Sequence, residues 1–186
     1  EQSVKRFLDI VISLFALTIL LPIIIYFGIL IKKDSKGPIF FRQSRVGKHG
    51  KPFKMLKLRT MYQNSENGQP KLSSPTDQRI TKVGRVLRKY RLDEIPQFWN
   101  ILKGEMSFVG PRPMEKKLFD LCIDANPLYY LRNIVKPGLT GWAQLNYHYA
   151  ACLDDELKKF EYDLYYLRNR SFWFDLAIIL RTIKYF

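Results

Sequence analysis

The longest apolar run lies near the start of the chain. Ile10 to Ile31 is 22 residues without a charge, long enough to cross a bilayer as a helix. A secretory signal does not fit, because the run is too long and no small-residue cleavage site follows it. A buried core helix is the alternative, although a run this long exceeds what a soluble helix usually hides. Near the middle stands Pro22, whose ring removes a backbone donor and clashes with the carbonyl of Thr18, so the pattern predicts a bend there. Lys5 and Arg6 precede the run and Lys32, Lys33 and Lys36 follow it. The positive-inside tendency holds such flanks on the cytoplasmic side, so both ends are expected on one face of a membrane. The expectation is a re-entrant helix-break-helix, in which residues 5–33 dip into one leaflet and return. Residues 1–33 then form a membrane hairpin and 34–186 a cytosol-facing domain.

Beyond the hairpin the periodicity changes. Pro38 to Gln43 reads as a short strand, Gly47-Lys48-His49-Gly50 as a turn and Phe53 to Thr60 as a returning strand, together a small β-hairpin. Alternation would place Lys57 and Arg59 on one face, with Leu56 and Leu58 on the other. The polar run Gln63 to Asp77, with Gly68, Pro70 and Pro75, reads as a loop long enough to act as a lid. One helix is predicted from Lys82 to Arg91 and a second from near Asp93 to Leu102, closed by Gly104. Pro96 suits the first turn of that second helix, with Asp93 as its N-cap. Phe108 to Pro113 is expected to be a rigid turn that displays Arg112 between two prolines, and Lys136 to Gly141 another tight turn. Leu153 to Arg168 reads as a long helix. Ser171 to Lys184 is amphipathic, with an aromatic start and a basic end; it fits a helix lying in the membrane interface or a plain core helix. The class is α+β, mostly helical.

Charge sharpens this picture. The formal net charge is +14, and the segment from Lys32 to Arg91 accounts for all of it, with 17 Lys or Arg against Asp34, Glu66 and Asp77. A basic field so concentrated attracts phosphate in some form, the bland alternative being a solvated basic surface. Cys122 and Cys152 have neither a metal spacing nor a disulfide framework, which fits a reducing compartment. His49 and His148 are isolated. The chain has no P-loop, no GxGxxG and no internal repeat.

The chemistry-bearing pair is Asp93-Glu94, at a predicted helix start just after Arg88, Lys89 and Arg91. On a helix the two carboxylates point about 100° apart and need not do the same job. A helix N-terminus favours phosphate and keeps a carboxylate ionised. An ionised aspartate can attack phosphorus to form an acyl-phosphate. Mg²⁺ and arginine would offset the repulsion from a diphosphate, Mg²⁺ being taken by one or two carboxylates plus phosphate oxygens. Arg112 is the best candidate clamp, since a guanidinium grips phosphate in a bidentate way from a loop stiffened by proline. The plain alternative is a capping Asp93 beside a surface Glu94.

Several longer stretches carry a family resemblance. They are Lys5-Arg6-Phe7-Leu8-Asp9, Pro38 to Gln43, Phe53 to Met61, Leu92-Asp93-Glu94-Ile95-Pro96-Gln97, Asn100 to Ser107, Val109 to Pro113 and Lys136 to Gln144. In this order, and over nearly the whole chain, they resemble the monotopic phosphoglycosyl transferases, a bacterial sugar transferase family that starts glycoconjugate and exopolysaccharide assembly. The resemblance implies a re-entrant helix, interfacial amphipathic helices, a cytosol-facing catalytic part at the bacterial inner membrane and a two-step reaction. Asp93 would attack the sugar-bearing phosphate of a UDP-sugar, releasing UMP, and polyprenyl phosphate would then take the phosphosugar. Glu94 would assist in metal binding or proton handling, and Asp93 and Glu94 would hold Mg²⁺. Arg112 matches a phosphate-binding arginine; Lys57, Arg59 and Arg88 match basic positions lining the site; Gln144 lies in a matching motif without an assigned role. Family members commonly have Ser before the hairpin proline, where this chain has Leu21-Pro22. Some carry a larger membrane region upstream, which leaves room for this chain being the catalytic part of a longer protein. The competing readings are a glycosyltransferase that moves only the sugar and releases UDP, and a non-catalytic basic module. The absence of recognisable nucleic-acid motifs argues against nucleic acid as a partner.

Overall fold

The computed structural model describes residues 2–63, 77–147 and 152–184. The apolar run lies in α1 (Gln2–Asp34), a helix of 33 residues. By length and composition it can cross a membrane, yet only 6% of its most apolar window is buried. Phe7, Leu14, Phe15, Ile19, Ile25 and Tyr26 are all more than half exposed. The buried-core alternative therefore fails. Pro22 does not divide the segment into two helices: α1 is one helical element with the proline inside it. A proline takes away a single donor, and the turns on either side keep theirs. The hydroxyl of Thr18 donates to the carbonyl of Leu14 at 2.9 Å, so it is not turned toward the carbonyl freed by the proline.

Both ends of α1 dock on the same body. At the start, Arg6 donates to the carbonyls of Ile101 and Leu102, each at 2.6 Å. Lys5 reaches Asp175 at 2.6 Å and the Val109 carbonyl at 2.9 Å, and Asp9 accepts from Ser107 and Phe108. At the far end Ile31 packs with Leu58 and Leu87, and Asp34 accepts from the backbone N–H of Val83.

The hairpin is antiparallel, β1 (Phe40–Val46) on β2 (Pro52–Leu58), with Phe40 opposite Leu58 and Val46 opposite Pro52. Its turn is a short 3₁₀ segment at Lys48–Gly50, in which His49 is exposed at φ 56°. Compared with expectation, β1 runs on to Val46 and β2 stops at Leu58, so Arg59 is no longer part of the alternation. Next comes α2 (Lys82–Lys89), capped by Thr81, whose side chain accepts from Gly84 N–H at 2.9 Å. Only glycine fits at 84, because a Cβ there would lie 2.1 Å from the Thr60 carbonyl.

The predicted helix from Asp93 is split. Arg91 is left-handed (φ 50°), Leu92–Glu94 form a 3₁₀ turn, and α3 (Gln97–Lys103) begins only after Pro96, its N-cap residue, and ends at Gly104 (φ 82°). Asp93 is thus not an N-cap. The second unforeseen feature is a parallel pair, β3 (Ser107–Val109) with β4 (Gly138–Thr140), which places the Lys136–Gly141 segment in a sheet. The remaining elements are α4 (Lys116–Ala125), a 3₁₀ stretch Pro127–Ile134, α5 (Trp142–Asn146), α6 (Leu153–Asn169) and α7 (Phe172–Lys184). In α7 one side is buried and the other is exposed. Ile178 is buried with Val109, Leu145 and Tyr166, while Trp173, Leu180 and Ile183 are 60–74% exposed. Cys122 is buried and Cys152 exposed, both free. Most of the predicted loop, residues 64–76, and His148 lie outside the described residues.

Candidate active site

The 3₁₀ turn Leu92–Glu94 sits against β2, and this contact assembles the site. Asp93 is 8% exposed. Glu94 accepts from Lys57 Nζ at 2.8 Å and from Arg112 Nη2 at 2.9 Å, both on Oε1. Lys57 also stands 3.8 Å from Asp93 Oδ2. Three predicted residues therefore meet around Glu94, from the 3₁₀ turn, from β2 and from the Gly110–Pro113 turn. Arg88, on α2, donates to Thr60 Oγ1 at 2.9 Å, and its charge acts on Asp93.

Arg59 is not brought to this group. Its guanidinium donates to the carbonyls of Lys36 (2.9 Å) and Ser35 (2.7 Å) and to Ser35 Oγ (2.9 Å). It is 6% exposed and ties down the two residues that follow α1, with a longer 3.4 Å contact to the Ile31 carbonyl in the last turn of the helix. Strand alternation ends one residue before it, which is why its side chain departs from the face of Lys57.

The two carboxylates are electrostatically unequal. Burial raises the Asp93 pKa from the ordinary value; Lys57 pulls it back, Glu94 raises it further, and the net shift is upward. Burial would raise Glu94 too, but Arg112 and then Lys57 outweigh it and hold its carboxyl well below the usual range. Glu94 is the fixed anion of the pair. The two carboxylates therefore shift in opposite directions, Asp93 upward through burial and Glu94 downward through the two cations that bond to it.

Among the described residues no three His, Cys, Asp or Glu side chains gather as a metal cluster. A cation held by one or two carboxylates plus substrate oxygens needs no such cluster. Lys57 and Arg112 share Oε1 of Glu94, so Oε2 and the Asp93 oxygens are the carboxylate donors that could be offered to Mg²⁺.

The turn bearing Arg112 is held through its carbonyls. Gly138 N–H donates to Pro111 at 2.9 Å, and Val46 N–H to Met114 at 2.8 Å. Lys5 takes Val109, Arg132 takes Arg112 at 3.1 Å and Arg45 reaches Pro113 at 3.5 Å. Arg45 and Arg132 carried no signal in the sequence that set them apart from other polar residues, and Gln97 stood out only as the last residue of the Leu92 to Gln97 stretch. Gln97 is 2% exposed, and its Nε2 has no hydrogen-bond partner among the described residues. Gln144 donates to the Leu139 carbonyl at 3.2 Å, bracing the turn after β4.

Residues 1–186 match the family model described as bacterial sugar transferase. Over 181 residues the chain is 44% identical to the UDP-N-acetylgalactosamine-undecaprenyl-phosphate N-acetylgalactosaminephosphotransferase of Aeromonas hydrophila, covering 97% of this chain and 43% of that protein. It is 42% identical over 181 residues to the UDP-glucose:undecaprenyl-phosphate glucose-1-phosphate transferase of Klebsiella pneumoniae, covering 96% of this chain and 39% of the relative. A Bacillus subtilis sugar transferase, EpsL, is 41% identical over 184 residues, covering 97% of this chain and 85% of its own length. The chain spans less than half the length of the first two relatives.

Proposed function

This chain belongs to the bacterial sugar transferase family, and on that premise we propose that it transfers a sugar-1-phosphate from a UDP-sugar to polyprenyl (undecaprenyl) phosphate. The observation that carries the reading is the unequal pair. Asp93 is buried and stands 3.8 Å from Lys57, whereas Glu94 holds Lys57 at 2.8 Å and Arg112 at 2.9 Å.

In the first step an Asp93 carboxylate oxygen forms a bond to the sugar-bearing phosphorus as the bond from that phosphorus to the bridging oxygen breaks. The electron pair leaves with UMP. Arg112, anchored on Glu94 and extended from a fixed turn, is placed to grip the non-bridging oxygens. Lys57 lies between the two carboxylates and offsets charge that builds up there. Mg²⁺, held by Asp93 and Glu94, would neutralise diphosphate charge. In the second step an oxygen of polyprenyl phosphate attacks the same phosphorus, the acyl-phosphate bond breaks and Asp93 is released as carboxylate. The product is a polyprenyl-diphosphate sugar, which would initiate glycoconjugate or exopolysaccharide assembly.

The membrane geometry is part of the proposal. A helix crossing the bilayer would carry one end past about 30 Å of hydrocarbon, but both ends of α1 hold contacts on one body. That supports a re-entrant α1 dipping into the cytoplasmic leaflet of the bacterial inner membrane. The lipid phosphate and the catalytic face then share a plane, a proximity effect. Labelling of single cysteines at the two ends of α1 is expected from the cytoplasmic side only; modification from opposite sides would refute re-entry.

The reaction is tested by incubating the protein with Mg²⁺, a panel of UDP-sugars and polyprenyl phosphate. UMP is the expected nucleotide product, and UDP alone would indicate a sugar-only transferase. Asp93→Asn is expected to abolish both turnover and a phosphosugar adduct seen by intact mass. Persistence of the adduct would move the nucleophile elsewhere.

A further inference from the structure

The Arg112 turn rests on a buried ion pair that touches no part of the proposed chemistry. Arg132, in the 3₁₀ stretch Pro127–Ile134, is 4% exposed, and Asp163, on α6, is 2% exposed. Arg132 Nε donates to Asp163 Oδ2 at 3.0 Å, and Nη2 stands 2.8 Å from the same oxygen. Nη1 donates to Tyr129 OH at 2.9 Å and also meets the sulfur of Met114. The remaining bond of Nη2 goes to the Arg112 carbonyl at 3.1 Å.

A pair so deeply buried is poor material for stability, because removing two charges from water costs much of what their attraction returns. Packed apolar side chains of the same volume do as well or better. What this pair does that an apolar pair could not is grip the carbonyl on the Cα that carries the Arg112 side chain. Pro111 and Pro113 flank that Cα. They fix their own φ and restrict the residue before them, so little backbone freedom is left once the carbonyl is held. At the other end of the side chain lies Glu94, 2.9 Å from Nη2.

We propose that Arg132 and Asp163 are positioning residues for Arg112: the ion pair aims the guanidinium at the reacting phosphate without touching substrate. This rests on the phosphate-gripping role given to Arg112 above. The experiment is a double-mutant cycle on kcat/KM for sugar-phosphate transfer, with the full chain, Mg²⁺, UDP-sugar and polyprenyl phosphate. Arg132→Lys keeps the buried charge but loses the forked donor. It is expected to lower kcat/KM by about 10-fold or more in the otherwise unchanged protein and by less than about 2-fold on an Arg112→Lys background, since residues acting through one another are non-additive. A merely structural role predicts the same factor in both backgrounds, and that result would overturn the proposal, as would a double variant with no measurable rate. An Arg112→Lys protein at full rate would instead sink the role of Arg112 itself, and the positioning pair with it. Should Arg132→Lys fail to fold, Asp163→Glu runs the same cycle; failure of both to fold would refute a role separable from stability.

Discussion

Arg6 and Arg59, at the two ends of α1, meet a different kind of partner from Lys57 and Arg112 around Glu94. Arg6 and Arg59 give their donors to backbone carbonyls of Ile101, Leu102, Ser35 and Lys36. Lys57 and Arg112 give theirs to a single carboxylate oxygen. A cation bonded to backbone carbonyls at or just beyond a helix end serves structure. A carboxylate shared by two cations keeps an open oxygen, and those cations can also turn to an arriving anion. A carboxylate partner alone does not mark the site, since Lys5 pairs with Asp175 and Arg132 with Asp163 away from it; the Glu94 group differs in that two cations share one oxygen beside Asp93.

The comparison can be broken most sharply at Glu94. Glu94→Gln removes the anion that holds Lys57 and Arg112 in register, and turnover is expected to fall by about 10² to 10³-fold. The thermal midpoint in detergent should move little; unaltered turnover would leave the pair without a catalytic role. The converse is Arg59→Met. Loss of its bonds to residues 35 and 36 should destabilise the fold by about 2–4 kcal/mol, read from urea unfolding, with kcat per folded molecule unchanged. A selective loss of kcat would return Arg59 to the site.

Third in size is the pH profile. Burial raises the Asp93 pKa, so the acid limb of kcat/KM should lie above the ordinary aspartate value. The rate falls below it because the protonated carboxyl is no nucleophile. Lys57→Met withdraws a cation that favours the carboxylate, and the limb is expected to shift to higher pH by about 0.5–1 unit; a shift to lower pH would contradict the assignment. The smallest effect belongs to the outer face of α7. Leu180→Glu, at a position 60% exposed, should weaken partitioning into anionic vesicles by about 3- to 10-fold while leaving the midpoint in detergent within about 2 °C.

Much of this was legible in the sequence because it depends on local chemistry. The uncharged stretch Ile10 to Ile31 announces a helix long and apolar enough to cross a membrane. The alternation around Gly47 and Gly50 announces the hairpin. Asp93, Glu94 and Arg112 stood out through motif and resemblance. Less readable were features that depend on where distant segments meet. The 3₁₀ turn at Leu92–Glu94 replaces a capped helix start once Arg91 turns left-handed and Pro96 delays α3. The β3–β4 pair joins segments about thirty residues apart, and Arg59 looked like Lys57 until β2 ended at Leu58.

Sequence by itself determined the apolar helix, the mostly helical class, the carboxylate pair and the concentration of basic charge, since each is fixed by residue types at short spacing. Only tertiary structure decided which cations serve the site. Lys57 and Arg112 are 37 and 18 residues from Glu94, and Arg132 lies 20 from Arg112 and 31 from Asp163. The reason is physical: a charge acts on whatever lies within a few ångströms of it, and at such separations along the chain that distance is set by packing.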